Sequence, residues 1–168
     1  MGTMSLYRYV SGREELEGLV VDHVLSGVDL TPPARGSWER RIAALMTRVR
    51  DATEAHPEVV PLMLTHRHAV AGSLRWGEVM LGILTEAGFS GRRRVVALRA
   101  LLSYLTGALQ LEHLGPLSGA GTDVMAALPP DDFPLLAATA RTARTVSADR
   151  EFRDGLDALL AGLHGTTP

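Results

Sequence analysis

Seven side chains combine polar or adaptable atoms with positions in otherwise apolar helical segments. A pocket for a small molecule is mostly apolar, with a few polar groups that orient the guest, and methionine adapts to guests of different shape. Each of these side chains alone is more simply explained by ordinary core packing, but as a set spread over several helices they fit a pocket better. The predicted ligand-binding residues are Met63, His66, Trp76, Met80, Tyr104, Gln110 and His113.

Catalytic and metal chemistry have little support in the sequence. It contains no cysteine, no Gly-x-Ser-x-Gly elbow, no phosphate-binding loop and no His-Glu-x-x-His motif, so the common signatures of nucleophilic and metal-assisted catalysis are missing. His66 and His68 are two residues apart, a spacing that puts side chains on different faces of a helix and prevents joint ligation. We therefore predict no enzyme, no metal site and no cofactor.

The elements that must carry the candidate residues are helices. Apolar residues recur at helical spacing along most of the chain, and no run alternates as a strand would, so the predicted fold class is all-α with about eight helices. Beyond a short N-terminal helix, the predicted helices cover residues 12–25, 38–55, 58–68, 74–87, 92–114, 131–145 and 147–162, with 115–130 as a long loop that could hold a turn of helix. The predicted N-caps are Ser11, Ser37, Asp131 or Asp132, and Ser147 or Asp149. The helices are predicted to break at His56-Pro57 and at Ala71-Gly72, and the helix that begins near residue 12 is predicted to end at Gly27.

Composition and charge describe one ordinary domain. The chain has 168 residues, 46% of them apolar, which suffices for a packed core. The formal net charge is −2, so contact with DNA would need a local basic patch, and residues 1–13 carry two arginines and no acid. The run Arg92–Arg94 fits a solvated helix start. No run of about 18 apolar residues and no signal-peptide pattern occur, so we expect a cytoplasmic protein without a membrane partner.

The N-terminal stretch carries a family resemblance. Leu6-Tyr7, Tyr9, the Ser11-Gly12 turn, Arg13 and Leu16 follow in the order and spacing that resemble the end of the helix-turn-helix and the linker helix of TetR-type (tetracycline-repressor-like) transcriptional regulators. The rest resembles the ligand-binding, dimer-forming half of that family. The supporting features are Trp38, His56-Pro57, EAGFS at 86–90, YLTGAL at 104–109 and FRDGLDALLAGL at 152–163. The resemblance covers nearly the whole chain.

The resemblance implies three parts. Residues 1–11 would be a remnant of the helix-turn-helix domain that includes its reading helix, 12–27 the linker helix, and 28–168 the ligand-binding and dimerisation domain. A reading helix meets base edges in the major groove, while phosphate contacts position it. We expect Thr3, Met4 and Arg8 at bases, and Tyr7, Tyr9 and Arg13 at phosphates. The two family helices that precede the reading helix are absent from this sequence, so we expect these 168 residues alone to bind DNA weakly or not at all.

The helices at 92–114 and 147–162 are expected to form a symmetric four-helix dimer contact, as in the family. Apolar residues on the first fall on two stripes, one for its own core and one for a partner. The second has the same spacing, with Gly155 and Gly162 permitting close approach. The alternative is that both helices pack within one monomer. The predicted interface residues are Leu98, Leu102, Leu105, Leu109, Phe152, Leu156, Leu159 and Leu163.

The function implied by the resemblance is a ligand-responsive DNA-binding transcriptional regulator. Repression is the family's usual mode, with release from the operator by a small, largely apolar molecule. The implied partners are operator DNA for the intact protein, a small-molecule effector and a second copy of the chain. A metal carried by the ligand itself would be compatible with the tetracycline-binding members. The alternative is a small-molecule-binding helical dimer without its own DNA-binding activity.

Overall fold

The structure is a computed structural model that describes residues 10–66 and 68–164. These ranges hold eight α-helices and no strand, which confirms the predicted all-α class. The helices are α1 (Arg13–Ser26), α2 (Trp38–Glu54), α3 (Val59–His66), α4 (Ala71–Glu86), α5 (Gly91–Leu114), α6 (Ala120–Ala126), α7 (Pro134–Ala143) and α8 (Ala148–His164).

Several predicted helix ends are confirmed by hydrogen bonds. Ser37 caps α2 because its Oγ accepts from the Arg40 N–H at 3.4 Å. The Oγ of Ser147 accepts from the Arg150 N–H at 3.3 Å at the start of α8. Gly27 ends α1. A polar side chain at such a position satisfies a backbone donor that the helix leaves unpaired.

Three local predictions were wrong, and a fourth was incomplete. Ser11 does not cap α1: Gly12 is the N-cap, and both the N–H and the hydroxyl of Ser11 donate to the Glu15 carboxylate. Ala71-Gly72 is the first turn of α4, where we predicted a break. Neither Asp131 nor Asp132 caps α7, whose N-cap is Phe133 with a proline in the first turn. The predicted loop at residues 115–130, which could hold a turn of helix, contains the seven-residue helix α6.

The chain divides into two compact units, Met1–Ala100 and Leu101–Pro168, and the division falls inside α5. In the first unit, α1 packs against α2, α3 and α4, and α2 packs against α4. Its largest fully buried side chains are Ile42, Leu45, Met46, Met80, Ile83, Leu84 and Phe89. The predicted linker helix is therefore part of this unit's packing.

Trp38, Phe89 and Arg93 pack together in the first unit, where the chain passes from α4 to α5. The ring of Trp38 meets Phe89 edge-on, with centroids 5.1 Å apart. The Arg93 guanidinium lies 4.2 Å above the Phe89 ring, a cation–π contact. This contact gives one residue of the predicted solvated Arg92–Arg94 face a packing role.

In the second unit, α6 and α7 pack as a helical pair, and α5 meets α8 through Tyr104 and Phe152. The two rings lie 5.7 Å apart, and the Tyr104 hydroxyl donates to the Phe152 carbonyl at 2.7 Å. Arg144 pairs with Asp123 at 3.0 Å. Side chains on α5 and α8 thus contribute to the core of this unit.

Among the described helices, α5 alone is long and apolar enough to cross a membrane, judged by length and composition. A core helix of a soluble protein meets the same criterion, so one such helix is weak evidence for a span. The absence of a membrane partner stays a prediction.

Candidate functional site

The helix α1 is tied to α3 and α4 by three polar contacts, which we call the α1 seam. Glu17 meets His66 at 3.3 Å, Asp22 meets the backbone of Gly72 at 2.8 Å, and Ser26 meets Arg75 at 2.8 Å. The seam partners are about 50 residues apart in the chain. They join the predicted linker helix to the two helices that carry four of the predicted ligand-binding residues.

The central contact of the seam supplies the cap that α4 lacks in its own sequence. Val70 is the N-cap of α4 and has no side-chain oxygen to offer. The Asp22 carboxylate accepts the N–H of Gly72 instead. A carboxylate at a helix N-terminus also interacts favourably with the helix dipole. Asp22 therefore couples the position of α1 to the start of α4.

Gly72 is required because α1 and α4 approach closely at this point. A Cβ on Gly72 would lie 2.8 Å from Leu25 Cβ and 3.0 Å from the Ser26 nitrogen. Backbone atoms cannot move away as the end of a flexible side chain could. The glycine at position 72 thus marks a close contact between two helices and not the predicted break. In a sequence, a glycine at a close contact looks the same as a glycine in a turn.

The carboxylate of Glu17 has two partners. The Arg13 Nε donates to one oxygen at 2.6 Å, and the His66 ring lies 3.3 Å from the other. The Arg13 hydrogen bond, followed by that of His66, holds the pKa of Glu17 below its usual range. The carboxylate is therefore charged at neutral pH. Its stabilising contribution is complete above the usual glutamate pKa and is lost as the pH falls through the lowered value.

The predicted ligand-binding residues separate into two groups. On α3 and α4, Met63 is half-buried, whereas His66, Trp76 and Met80 are buried. The other three belong to the part of α5 in the second unit: Tyr104 and Gln110 are half-buried and His113 is exposed. The hydroxyl of Tyr104 is already bonded to the Phe152 carbonyl, so this residue has a packing role. A ligand contact for each of the seven stays a prediction.

The indole of Trp76 has a free donor in a buried place. The residue is 8% exposed, and its Nε1–H has no hydrogen-bond partner among the described residues. A buried donor without a partner costs free energy, on the order of 1–3 kcal/mol. An acceptor atom on a bound molecule would remove that cost.

An apolar cavity beside α1 was missed by the sequence analysis. It has a volume of about 510 Å³, within the range of ligand pockets. The lining residues are Val10, Leu16, Leu19, Val20, His23, Val24, His56, Glu58, Val59 and Leu62. The signal available in the sequence was the wide apolar face of α1, which includes Leu19. In the structure Leu19 is 52% exposed, so a single buried stripe does not account for this face.

The predicted dimer residues also divide by burial. Leu105, Leu109, Phe152 and Leu156 are buried within the chain, so they have little surface left for a partner. Leu98, Leu102, Leu159 and Leu163 are half-exposed. Gly155 does permit close approach, but to the Tyr104 side chain of its own chain: a Cβ there would lie 2.5 Å from the Tyr104 hydroxyl. A dimer contact through the half-exposed group stays a prediction.

Of the predicted DNA contacts, Arg13 alone lies in the described part of the chain. It is the first residue of α1, and its side chain is 87% exposed. The remaining predicted contacts, Thr3, Met4, Tyr7, Arg8 and Tyr9, lie outside the described residues.

For metals, the described residues contain no group of three or more His, Asp or Glu side chains placed to hold an ion. His68 lies beyond α3, which ends at His66, so the predicted helix over residues 58–68 was too long at this end.

Comparison with known proteins adds a family assignment. Residues 31–167 match the family described as the tetracyclin repressor-like, C-terminal domain. An HTH-type transcriptional regulator of Saccharopolyspora erythraea is 33% identical over 111 residues, which is 66% of this chain and 47% of the relative. The matched part is thus about half the length of that curated relative.

Solved structures agree with this fold. A possible TetR family transcriptional regulator from Streptomyces coelicolor A3(2) superposes with a TM-score of 0.87 at 26% identity, covering 99% of this chain and 85% of the other. The Streptomyces coelicolor TetR family protein ActR, solved in complex with actinorhodin, superposes with a TM-score of 0.76 at 23% identity, covering 98% and 82%. This chain belongs to the TetR family, and residues 31–167 form its tetracyclin repressor-like C-terminal domain.

Proposed function

We propose that the intact protein is a ligand-responsive DNA-binding transcriptional regulator, a repressor that a small, largely apolar molecule releases from its operator. The observation that carries this proposal is the α1 seam. It bonds the helix that follows the predicted DNA-reading segment to α3 and α4 at three places. A rearrangement of α3 and α4 would therefore act on α1 directly.

The ligand site that we propose lies on α3 and α4 and includes Met63, His66, Trp76 and Met80. The side chains of Met63, Trp76 and Met80 offer apolar contact to such a guest, and Trp76 Nε1–H is available to a carbonyl or hydroxyl oxygen of it. ActR was solved with actinorhodin. Because a likeness at 23% identity extends to the fold alone, we choose actinorhodin as a first probe of this chain and not as its expected ligand.

The proposed regulator acts as a dimer in the cytoplasm. We propose a homodimer whose contact includes Leu98, Leu102, Leu159 and Leu163, and action in the cytoplasm without a membrane partner. In a dimer, the separation of two reading helices sets their fit to the two half-sites of an operator. A change in α1 in each subunit would alter that separation.

Release follows from a two-state equilibrium. A ligand that binds the non-operator arrangement more tightly shifts the protein towards it, and operator affinity falls by the ratio of the two ligand affinities. For a typical coupling free energy of about 1–3 kcal/mol, the operator Kd would rise roughly 5- to 150-fold.

The test measures operator binding by the intact protein with and without a bound small molecule. An operator is first selected from random duplexes, and small-molecule binding is followed by tryptophan fluorescence, beginning with actinorhodin. The expected result is a higher operator Kd for a molecule that binds. If every molecule that binds this domain leaves the operator Kd unchanged, the proposal is wrong.

A companion variant locates the ligand. Trp76→Phe keeps an aromatic ring and removes the indole N–H, so it should weaken binding of an acceptor-bearing ligand by roughly 5- to 10-fold, the worth of about one hydrogen bond. Trp38→Phe is the control, because Trp38 packs on Phe89. Equal ligand affinities of the two variants would remove Trp76 from the site.

A further inference from the structure

The Glu17 carboxylate joins two residues with different predicted roles. Arg13, a predicted phosphate contact, donates to its Oε1 at 2.6 Å. His66, a predicted ligand contact, faces its Oε2 at 3.3 Å. His66 is buried, whereas the Arg13 side chain is 87% exposed. One side chain thus connects the inside of the first unit to an exposed cation at the start of α1.

The chemistry of these three groups makes their contacts compete. A carboxylate only accepts hydrogen bonds, so the contact requires the proton of His66 to be on Nε2. While His66 holds one oxygen of Glu17, the other oxygen remains for Arg13. If the hydrogen bond from His66 breaks, Glu17 can present both oxygens to the guanidinium group of Arg13. This bidentate arrangement is the stronger one. An arginine held in that way is less available to a DNA phosphate.

We propose that Glu17 is a switch residue that competes with the DNA backbone for Arg13, and that His66 keeps this competition weak. A ligand that accepts a hydrogen bond from the Nε2–H of His66 releases Glu17 to Arg13, and DNA binding weakens. Glu17 is thus a positioning residue that acts through Arg13. The proposal rests on the proposed function, since it requires an intact regulator that binds DNA.

The experiment needs neither the natural ligand nor the operator. The probe is a random-sequence 30-base-pair duplex, because non-specific binding depends almost entirely on phosphate contacts and counterion release (the length is chosen at about three helical turns). The intact protein is compared as wild type, Glu17→Gln and Glu14→Gln. Glu14 is the matched control, since it lies three residues before Glu17 on α1 and its substitution changes the net charge equally.

The expected result is tighter binding by Glu17→Gln, with a duplex Kd about threefold or more below that of Glu14→Gln. The slope of log K against log salt should steepen by about 0.9, the value for one additional phosphate contact. In an Arg13→Ala background, the difference between the two glutamine variants should disappear. Equal Kd values for the two variants, or a difference that persists without Arg13, would overturn the proposal.

A second pair of variants tests the role of His66. Gln at position 66 keeps an N–H donor for Glu17, whereas Leu has none, so His66→Leu should raise the duplex Kd and His66→Gln should stay near wild type. Thermal unfolding of both variants shows whether the Leu protein folds. If it does not, a weakened duplex affinity of the folded Gln variant overturns the His66 step. If the wild-type protein binds no duplex at all, the proposed DNA-binding function is wrong. That result is distinct from failure of the Glu17 switch, in which the wild-type protein binds the duplex and the variants do not differ as expected.

Discussion

The two units hold their helices together by different kinds of contact. In the first, α1 is fixed to α3 and α4 by the polar contacts of the α1 seam, and Glu17 is shared between two partners. In the second, α5 meets α8 through the tilted rings of Tyr104 and Phe152 and one hydrogen bond from the Tyr104 hydroxyl. Seam contacts can exchange one partner for another, whereas ring packing has few alternative arrangements of similar energy.

This difference assigns the units different tasks in the proposed mechanism. A closely packed apolar contact resists gradual deformation, which suits a scaffold. A hydrogen bond at the protein surface, such as Arg75 to Ser26, can break and re-form at small net cost because water replaces a lost partner, and the two part-buried contacts of the seam can do so where a ligand atom takes the partner's place. The seam is therefore the part of the molecule that we expect to respond to a ligand, and the α5–α8 contact the part that we expect to stay unchanged.

The largest effect is expected where α1 and α4 are closest. Gly72→Ala would place a Cβ within 3.0 Å of backbone atoms of Leu25 and Ser26, so we expect a loss of about 2–3 kcal/mol in unfolding free energy from overpacking. The control is Gly77→Ala on the same helix, where a Cβ meets nothing within 4 Å. Urea denaturation of both variants measures the difference, and equal stabilities would show that the close approach is not required.

A smaller loss is expected in the α5–α8 contact. Gly155→Ala would push a Cβ against the Tyr104 hydroxyl, and that ring can shift only by giving up its bond to Phe152. We expect a cost of about 1–2 kcal/mol relative to Gly162→Ala. Gly162 is the matched control, because its Cβ would meet open space on the same helix. A Gly155→Ala protein as stable as the control would show that the Tyr104 side chain can move away from position 155 at no cost.

The hydrogen bond from the Gly72 N–H to Asp22 is expected to contribute about 1 kcal/mol to the free energy of unfolding. Asp22→Ala removes the acceptor for the Gly72 N–H, and the loss of a helix cap typically costs that amount. Asp22→Asn retains a side-chain oxygen and should recover most of the stability. Thermal unfolding compares the two variants, and an Ala variant equal to wild type would argue against capping across the seam.

The smallest effect concerns pH. Within the described residues, the three carboxyls with a clearly lowered pKa, Glu15, Glu17 and Asp29, all belong to the first unit. Their principal partners are the Ser11 hydroxyl, Arg13 and the Thr31 N–H, respectively. Because a lowered pKa stabilises the fold only while the group is charged, acid should loosen the first unit first.

Amide exchange across the acid range measures this difference. We expect α1 to lose protection before α8 as the pH falls below the usual carboxyl range. Earlier loss in α8 would contradict the order.

The helices themselves were predictable, because apolar period and capping residues are local signals. Ser37 and Ser147 cap the helices that follow them, and the helix over residues 92–114 was placed within one residue of its start. The start of α4 was not predictable in this way, since its cap comes from Asp22, 50 residues earlier. A glycine that allows close packing has the same sequence appearance as one that ends a helix.

The candidate site was predicted less completely than the fold. The sequence placed His66 and Trp76 among apolar helical residues, and both are buried. The partner of His66 is Glu17, a residue that the apolar pattern gave no reason to single out. Composition also gave no means of dividing the leucines of α5 and α8 between core and surface. Leu105 and Leu109 are buried whereas Leu98 and Leu102 are half-exposed, and that division depends on packing with residues distant in sequence.

The most direct test of the account is hydrogen exchange at the Gly72 amide, the N–H that Asp22 holds across the seam. It is measured with and without a small molecule that fluorescence has shown to bind the domain, beginning with actinorhodin, and compared with the amides around Phe152. We predict a change in protection of about fivefold or more at Gly72, the lower end of typical coupling, and none around Phe152. An unchanged Gly72 amide, or an equal change at both places, would contradict the claim that α1 carries the response.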